Sequence, residues 1–200
     1  MLNTELKKIE IILGSQSPRR KDLLASLDID FEVLIKSVDE SIPETITSSE
    51  AAVYVAKKKL DAFDNKQYYN NLIITADTVV VDKDDNVLGK PSSQEEARSV
   101  ISSLSNSSHI VYTGVAMKYK GKEIQFTDQT LVYFENVSEE EIDYYINTYK
   151  PYDKAGAYGI QEWIGRIAVS RIEGSFENVM GLPTVKLYKA IKEIIQEEEA

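Results

Sequence analysis

The sequence predicts an α/β fold with a central mixed β-sheet flanked by helices. Three observations predict it. Strand-like and helix-like stretches alternate early in the 200-residue chain, the pattern of strands joined by helical crossovers. "LIITADTVVV", residues 72–81, is almost wholly apolar, as strands covered on both faces are. Two further strand-like stretches sit in the middle and meet at Gly121, where a tight turn can reverse the chain.

Taken in order, "IEIILG" reads as the first strand. Ser17-Pro18 opens a helix that runs to about Leu27, because a hydroxyl caps free N–H groups and proline fits the first helical position. "FEVLIKS" reads as a second strand, and Ser48 or Ser49 caps a helix reaching about Phe63. After the buried strand comes a turn at "DKDDN". "SSQEEARSVISSL" is a helix with capping-box spacing from Ser92 to Glu95 or from Ser93 to Glu96. "HIVYTGVAMKYK" and "EIQFTDQTLVYFENV" are the strand pair. "SEEEIDYYINTY" is a helix with a second capping box, Ser138 to Glu141. "GRIAVSRIEG" reads as extended, and Pro183 starts a terminal helix.

The totals narrow the function. Composition is 42% hydrophobic and 28% charged, which is globular rather than disordered. There is no cysteine, so disulfide and thiolate chemistry are excluded and a cytoplasmic setting is expected. No stretch has signal-peptide or membrane-span character. A net charge of −10 argues against a general nucleic-acid partner. An anionic ligand then needs a local cationic pocket, a metal ion or both. The lone histidine, His109, leaves little room for histidine-based metal sites or triads, and it is expected to be structural. Neither a P-loop nor a dinucleotide glycine fingerprint is present.

Several residues carry chemistry. Arg19, Arg20 and Lys21 occupy the first turn after Ser17-Pro18, where the helix dipole repels cations. An anion docked on the free N–H groups would offset that repulsion; an exposed basic turn is the bland alternative. In "AAVYVAKKKLDAF" the apolar face is Ala52, Val55, Ala56 and Phe63. Lys59 falls in the middle of that face at helical spacing, while Lys57 and Lys58 point away. An inward lysine needs an anion or a wet cavity. Asp77, with Thr78, interrupts the buried strand, and a carboxylate there must be paired, hold a metal or have a raised pKa. Glu40 could share a metal with Asp77, since Mg²⁺ favours carboxylates with water and phosphate oxygens. Lys90 sits in a Gly/Pro turn before a helix. Gln161 ends the small-residue loop "YDKAGAYGIQ", and its amide can match the imide edge of uracil or thymine. Four cations, two carboxylates and one polar reader describe a nucleoside triphosphate site with a divalent metal.

These stretches together resemble the Maf family of nucleoside triphosphate pyrophosphatases. The matching pieces are "LGSQSPRRKDLL", "VDE", "AKKKL", "ADT", "LGKP", "YTGVA", "DKAGAYGIQ" and "NVMGLP", in that order from Leu13 to Pro183. The resemblance implies hydrolysis of a nucleoside triphosphate to monophosphate and pyrophosphate with Mg²⁺ or Mn²⁺. It implies one elongated domain over residues 1–200, two lobes around a cleft, commonly as a homodimer. By the same resemblance Ser17, Arg20, Lys59 and Lys90 hold phosphates, Glu40 binds metal, and Asp77 is general base or metal ligand. Arg19, Thr78 and Gln161 match the branch that prefers dTTP and UTP. A branch preferring 7-methylguanosine triphosphate tends to have Trp for Arg19 and Glu for Gln161. One departure is "EWIGRIAV", where bulky Trp163 replaces a glycine-rich segment, so a different wall beside the base is expected. Two competing readings remain: a nucleotide-binding regulator of septum formation that does not hydrolyse, and a pyrophosphatase of different base preference.

Overall fold

The computed structural model describes residues 5–196. The strands are β1 (Ile11–Leu13), β2 (Glu32–Val33), β3 (Leu72–Val81), β4 (Val87–Leu88), β5 (Ser108–Tyr119), β6 (Lys122–Phe134) and β7 (Val169–Glu173). The helices are α1 (Pro18–Ala25), α2 (Ser48–Asp61), α3 (Gln94–Leu104), α4 (Glu139–Tyr149), α5 (Trp163–Ala168), α6 (Phe176–Met180) and α7 (Thr184–Gln196). The sheet runs β2-β1-β3-β5-β6-β7, with β4 on β3. β1 is parallel to β2 and β3, whereas β4 on β3 and β7 on β6 are antiparallel. This is the mixed sheet the sequence predicts.

The residues divide into two compact units. Among the described residues, the first comprises those up to Asp77, Thr113–Asp128 and those from Gly181. Its core includes Ile12, Ala56, Leu60, Phe63, Ile73 and Ala116. The second comprises Thr78–Tyr112 and Gln129–Met180, with a core around Ile101, Val132, Phe134, Ile142, Tyr158 and Ile164.

β3 forms over the ten residues expected, and every one of them is buried except Asp77 and Thr78, which are half-buried. β5 and β6 are joined by Lys120 and Gly121, both at positive φ (46° and 83°), the backbone a two-residue hairpin turn requires. α4 carries the expected Ser138–Glu141 capping box. Elsewhere the elements differ from the expectation. "FEVLIKS" pairs only over Glu32–Val33, because its one partner, β1, is three residues long. α1 stops at Ala25. α2 is capped by Thr47 rather than Ser48 or Ser49: the Glu50 carboxylate reaches back to the Thr47 N–H (3.4 Å) and hydroxyl (2.7 Å). In α3 the caps are shared, with Ser93 Oγ accepting from Glu96 N–H while the Glu96 carboxylate takes the Ser92 N–H and hydroxyl. "GRIA" is helical, not extended. Ile164 and Ala168, four residues apart, are both buried while Arg166 and Ile167 face out, a helical rather than an alternating pattern. α6 was not foreseen from the sequence.

Candidate active site

In the first unit β1 delivers the chain to the site through Gly14. The Gly14 N–H donates to the Ile74 carbonyl at 2.8 Å, and a Cβ at Gly14 would lie 2.8 Å from Thr75 Cγ2. Only glycine allows the loop to leave the strand so close to β3. Ser17 caps α1, its Oγ accepting from the Arg20 N–H at 3.5 Å. Ser15 Oγ accepts from the Ser17 N–H (3.3 Å) and from Arg20 Nη1 (3.1 Å). Arg20 Nε donates to the Gly181 carbonyl at 2.8 Å. Arg20 is 9% exposed, so it braces the loop and the start of α7 as well as presenting charge. Burial pushes its pKa down; Asp77 and Glu40 pull it up, and Arg19 pushes it down. Arg20 therefore lies in the field of both carboxylates. Arg19, next to it, is half-buried.

α2 lies directly on β5 at Gly114, where a Cβ would be 2.1 Å from the Val53 nitrogen. The Thr75 hydroxyl donates toward the Ala56 carbonyl (2.8 Å) and the Ala116 carbonyl (3.1 Å), tying α2, β3 and β5 together. With the helix held there, its periodicity aims Lys59 inward, as the sequence predicts. Lys59 Nζ donates to Asp77 Oδ1 at 2.7 Å and lies 3.0 Å from Glu40 Oε1. The Lys59 and Asp77 side chains are 14% and 15% exposed, and Glu40 is 49% exposed. The neighbouring lysines turn outward. Lys57 pairs with Asp61 and Glu123, while Lys58 pairs with Asp39 and donates to the Ser41 carbonyl. Lys58 and Lys59 thus pin the 39–41 loop against α2, which is what brings Glu40 to Lys59.

The chemistry of this donor set can be tested against a divalent cation. Among the described residues no three His, Cys, Asp or Glu side chains gather as metal ligands. Glu40 and Asp77 reach the same ammonium and form a two-carboxylate set. That set fits Mg²⁺, which takes one or two carboxylates and leaves its remaining positions to water and phosphate oxygens.

In the second unit, Thr78 follows Asp77 on β3 and is half-buried. Lys90 is exposed in the turn after β4; the preceding residue, Gly89, accepts the Gly156 N–H at 3.2 Å. Gln161 lines a cavity of about 480 Å³ together with Ile160, Gly165, Val169 and Phe176 among others. Its Oε1 is buried without a hydrogen-bond partner. Trp163 is not among the lining residues. It starts α5 and packs edge-on to Tyr144 at 4.9 Å between ring centroids, so the bulk lies on α4. His109 is buried at 1% exposure, bonded through Nε2 to the Tyr158 hydroxyl at 2.7 Å and packed edge-on to Phe134. Burial lowers its pKa to about 4, leaving it neutral and structural.

Sequence reasoning missed Lys154, Glu162 and Tyr145. Lys154 is 7% exposed, pairs with Glu162 (3.1 Å) and Asp153 (2.8 Å), and belongs to the same loop as Gln161. A lysine inside a stretch of Gly and Ala was the available signal.

A strand that leads into a capped helix start, with cations gathered around a carboxylate pair, is the equipment of α/β proteins that take phosphorylated ligands. Comparison with known proteins gives the family. Residues 10–194 match the family model described as "Maf-like protein". The chain is 50% identical to a dTTP/UTP pyrophosphatase of Parabacteroides distasonis over 94% of this chain and 97% of that one. It is 48% identical to the protein of that name from Porphyromonas gingivalis, over 94% and 96%. It is 45% identical to that of Flavobacterium johnsoniae, over 98% and 100%. Among solved structures, a nucleoside-triphosphatase / dITP/XTP pyrophosphatase from Mycobacterium abscessus aligns at a TM-score of 0.45 and 12% identity, over 94% and 98%. The chain belongs to the Maf family.

Proposed function

We propose that this chain is a nucleoside triphosphate pyrophosphatase that hydrolyses dTTP and UTP to the monophosphate and pyrophosphate. The observation that carries the reading is Lys59 held between Asp77 and Glu40, in a chain 45–50% identical over nearly its full length to relatives named for that activity. Asp77 takes a proton from the attacking water as the water oxygen bonds to phosphorus and the anhydride bond to pyrophosphate breaks. Lys59 holds the Asp77 carboxylate in place and offers its remaining donor to a phosphate oxygen. Ser17 and Arg20, at the open N-terminus of α1, bind phosphate there, and Lys90 is assigned to the same task. A divalent cation, Mg²⁺ or Mn²⁺, would be held by Glu40 and Asp77 and would neutralise charge on the phosphate oxygens. Arg19, Thr78 and Gln161 are assigned to base preference.

Pyrophosphate release from dTTP, UTP, CTP and 7-methyl-GTP, with and without Mg²⁺, tests the reading. The expected result is metal-dependent release, fastest from dTTP and UTP. No release from either would overturn it, and binding without turnover would favour a nucleotide-binding regulator. The broader role we infer is removal of modified pyrimidine nucleotides in the cytoplasm, by a homodimer. Light scattering on the purified chain tests the dimer.

A further inference from the structure

Gln161 is flanked by a network of hydrogen-bonded groups in its own unit. The Gly159 N–H donates to the Tyr145 hydroxyl oxygen at 3.0 Å. That hydroxyl donates in turn to Glu162 Oε2. Glu162 Oε1 is 3.1 Å from Lys154 Nζ, and Lys154 also donates to Asp153 at 2.8 Å. Tyr145 is fully buried and Lys154 nearly so. Burial and the Glu162 carboxylate raise the Tyr145 pKa, so the hydroxyl stays a donor at any physiological pH.

The network fixes residues 159 and 162, on either side of Gln161. A Cβ at Gly159 would lie 2.8 Å from Glu162 Cδ and 3.1 Å from Gln161 Nε2. The amide and the carboxylate therefore both lie over the Cα of Gly159, in the space a Cβ would take. The amide oxygen of Gln161 is left buried with no donor, on a side chain that lines a 480 Å³ cavity. A buried acceptor without a donor is costly, and a ligand N–H would satisfy it once the amide turns its oxygen toward the cavity. Uracil and thymine carry a hydrogen on N3; cytosine carries none there and presents an acceptor instead.

We propose that Tyr145, Glu162 and Lys154 are positioning residues that hold the Gln161 carbonyl as an acceptor for a pyrimidine imide N–H, and so set discrimination between uracil and cytosine. This rests on the assignment of Gln161 as base reader. The test is steady-state kinetics of the full chain with UTP and CTP, for wild type, Tyr145→Phe, Gln161→Ala and the double variant, each checked by thermal melting.

Wild type should favour UTP by kcat/KM. Tyr145→Phe conserves volume and should lower the UTP-to-CTP ratio about tenfold, with the change carried by KM for UTP. Gln161→Ala should lower it at least as far. The double variant should be no worse than Gln161→Ala alone, because the network acts through that residue. If Tyr145→Phe does not fold, Glu162→Ala against Glu162→Gln reads the same point. The Gln variant keeps an acceptor for Tyr145 and should retain most of the ratio that the Ala variant loses. A ratio that falls in Gln161→Ala but not in Tyr145→Phe or Glu162→Ala overturns the positioning role and leaves the base reader standing. A ratio untouched in Gln161→Ala, or a wild-type ratio near one, overturns the base reader and the inference with it.

Discussion

Each unit of the molecule holds one lysine between two carboxylates. In the first, Lys59 faces Asp77 and Glu40 at 2.7 and 3.0 Å; in the second, Lys154 faces Asp153 and Glu162 at 2.8 and 3.1 Å. The distances are nearly the same, and the exposures match as well: 15% and 49% for Asp77 and Glu40, 19% and 53% for Glu162 and Asp153. The difference lies in what else the inner carboxylate holds. Glu162 also takes the Tyr145 hydroxyl, which in turn accepts the Gly159 N–H, so the second pair is tied into the backbone of its loop and holds shape. The first pair lies in the field of Arg20, where a phosphate or a metal can exchange for one of its partners. The comparison predicts that damage to the first falls on turnover and damage to the second on stability and selectivity.

The largest effect should come from Asp77→Asn. Losing a general base costs typically ~10²–10⁴-fold in kcat, and triphosphate binding should persist, measurable by calorimetry with a non-hydrolysable analogue. Retained turnover would place the base elsewhere and break the comparison at its first half. Arg20→Ala should reduce activity on every triphosphate, because Arg20 braces Ser15 and Gly181 as well as supplying charge.

Lys154→Met addresses the second half. Removing one partner of a buried pair typically costs ~3–5 kcal/mol. With Glu162 not fully buried, about 3 kcal/mol is expected in urea unfolding. Lys59→Met should cost less stability than that, since the tie from Glu162 through Tyr145 to the loop backbone is undisturbed, while abolishing most activity. Equal stability losses in the two variants would show that this tie does not separate the pairs.

The first lysine was legible in the sequence and the second was not, for a physical reason. Lys59 lies on a helix, where a 3.6-residue period converts position into direction, and its partner Asp77 interrupts a run of apolar residues. Both signals are local. Lys154 lies in a loop, where spacing says nothing about direction; its partner Glu162 comes from the far end of that loop and is itself bonded to Tyr145 of α4. The same contrast explains the fold. β3, α4 and the hairpin at Gly121 were readable because pattern, cap or turn chemistry lies within each segment. The shortness of β2 depends on β1, and the helical state of residues 163–168 depends on what Ile164 and Ala168 pack against.

His109 provides a smaller test of the second unit's neutral interior. Its folded pKa is about 4 against an ordinary 6.5, because burial disfavours the charged ring. The unfolded chain therefore takes up the proton first as pH falls. Stability from this group is complete above about pH 6.5 and is lost between there and pH 4. The expected loss from pH 7 to pH 5 is about 2 kcal/mol. Urea unfolding of wild type and His109→Gln across that window measures it, and the variant should show a shallower dependence. An equally steep variant would assign the acid sensitivity to other groups.

The smallest effect should come from Arg19→Ala, and it tests the division between units most directly. Arg19 stands in the first unit, beside the charged cluster, yet it is assigned to base preference along with Gln161 of the second. If that assignment holds, the variant should shift the ranking among UTP, dTTP and 7-methyl-GTP by about tenfold or less, at most about 1.4 kcal/mol, with far less loss of overall rate than Arg20→Ala. A uniform loss across the substrates, in parallel with Arg20→Ala, would make Arg19 another phosphate cation. Selectivity would then reside wholly with Thr78 and Gln161 in the second unit. The first unit would then handle charge alone, with Lys90 the one phosphate cation assigned to the second.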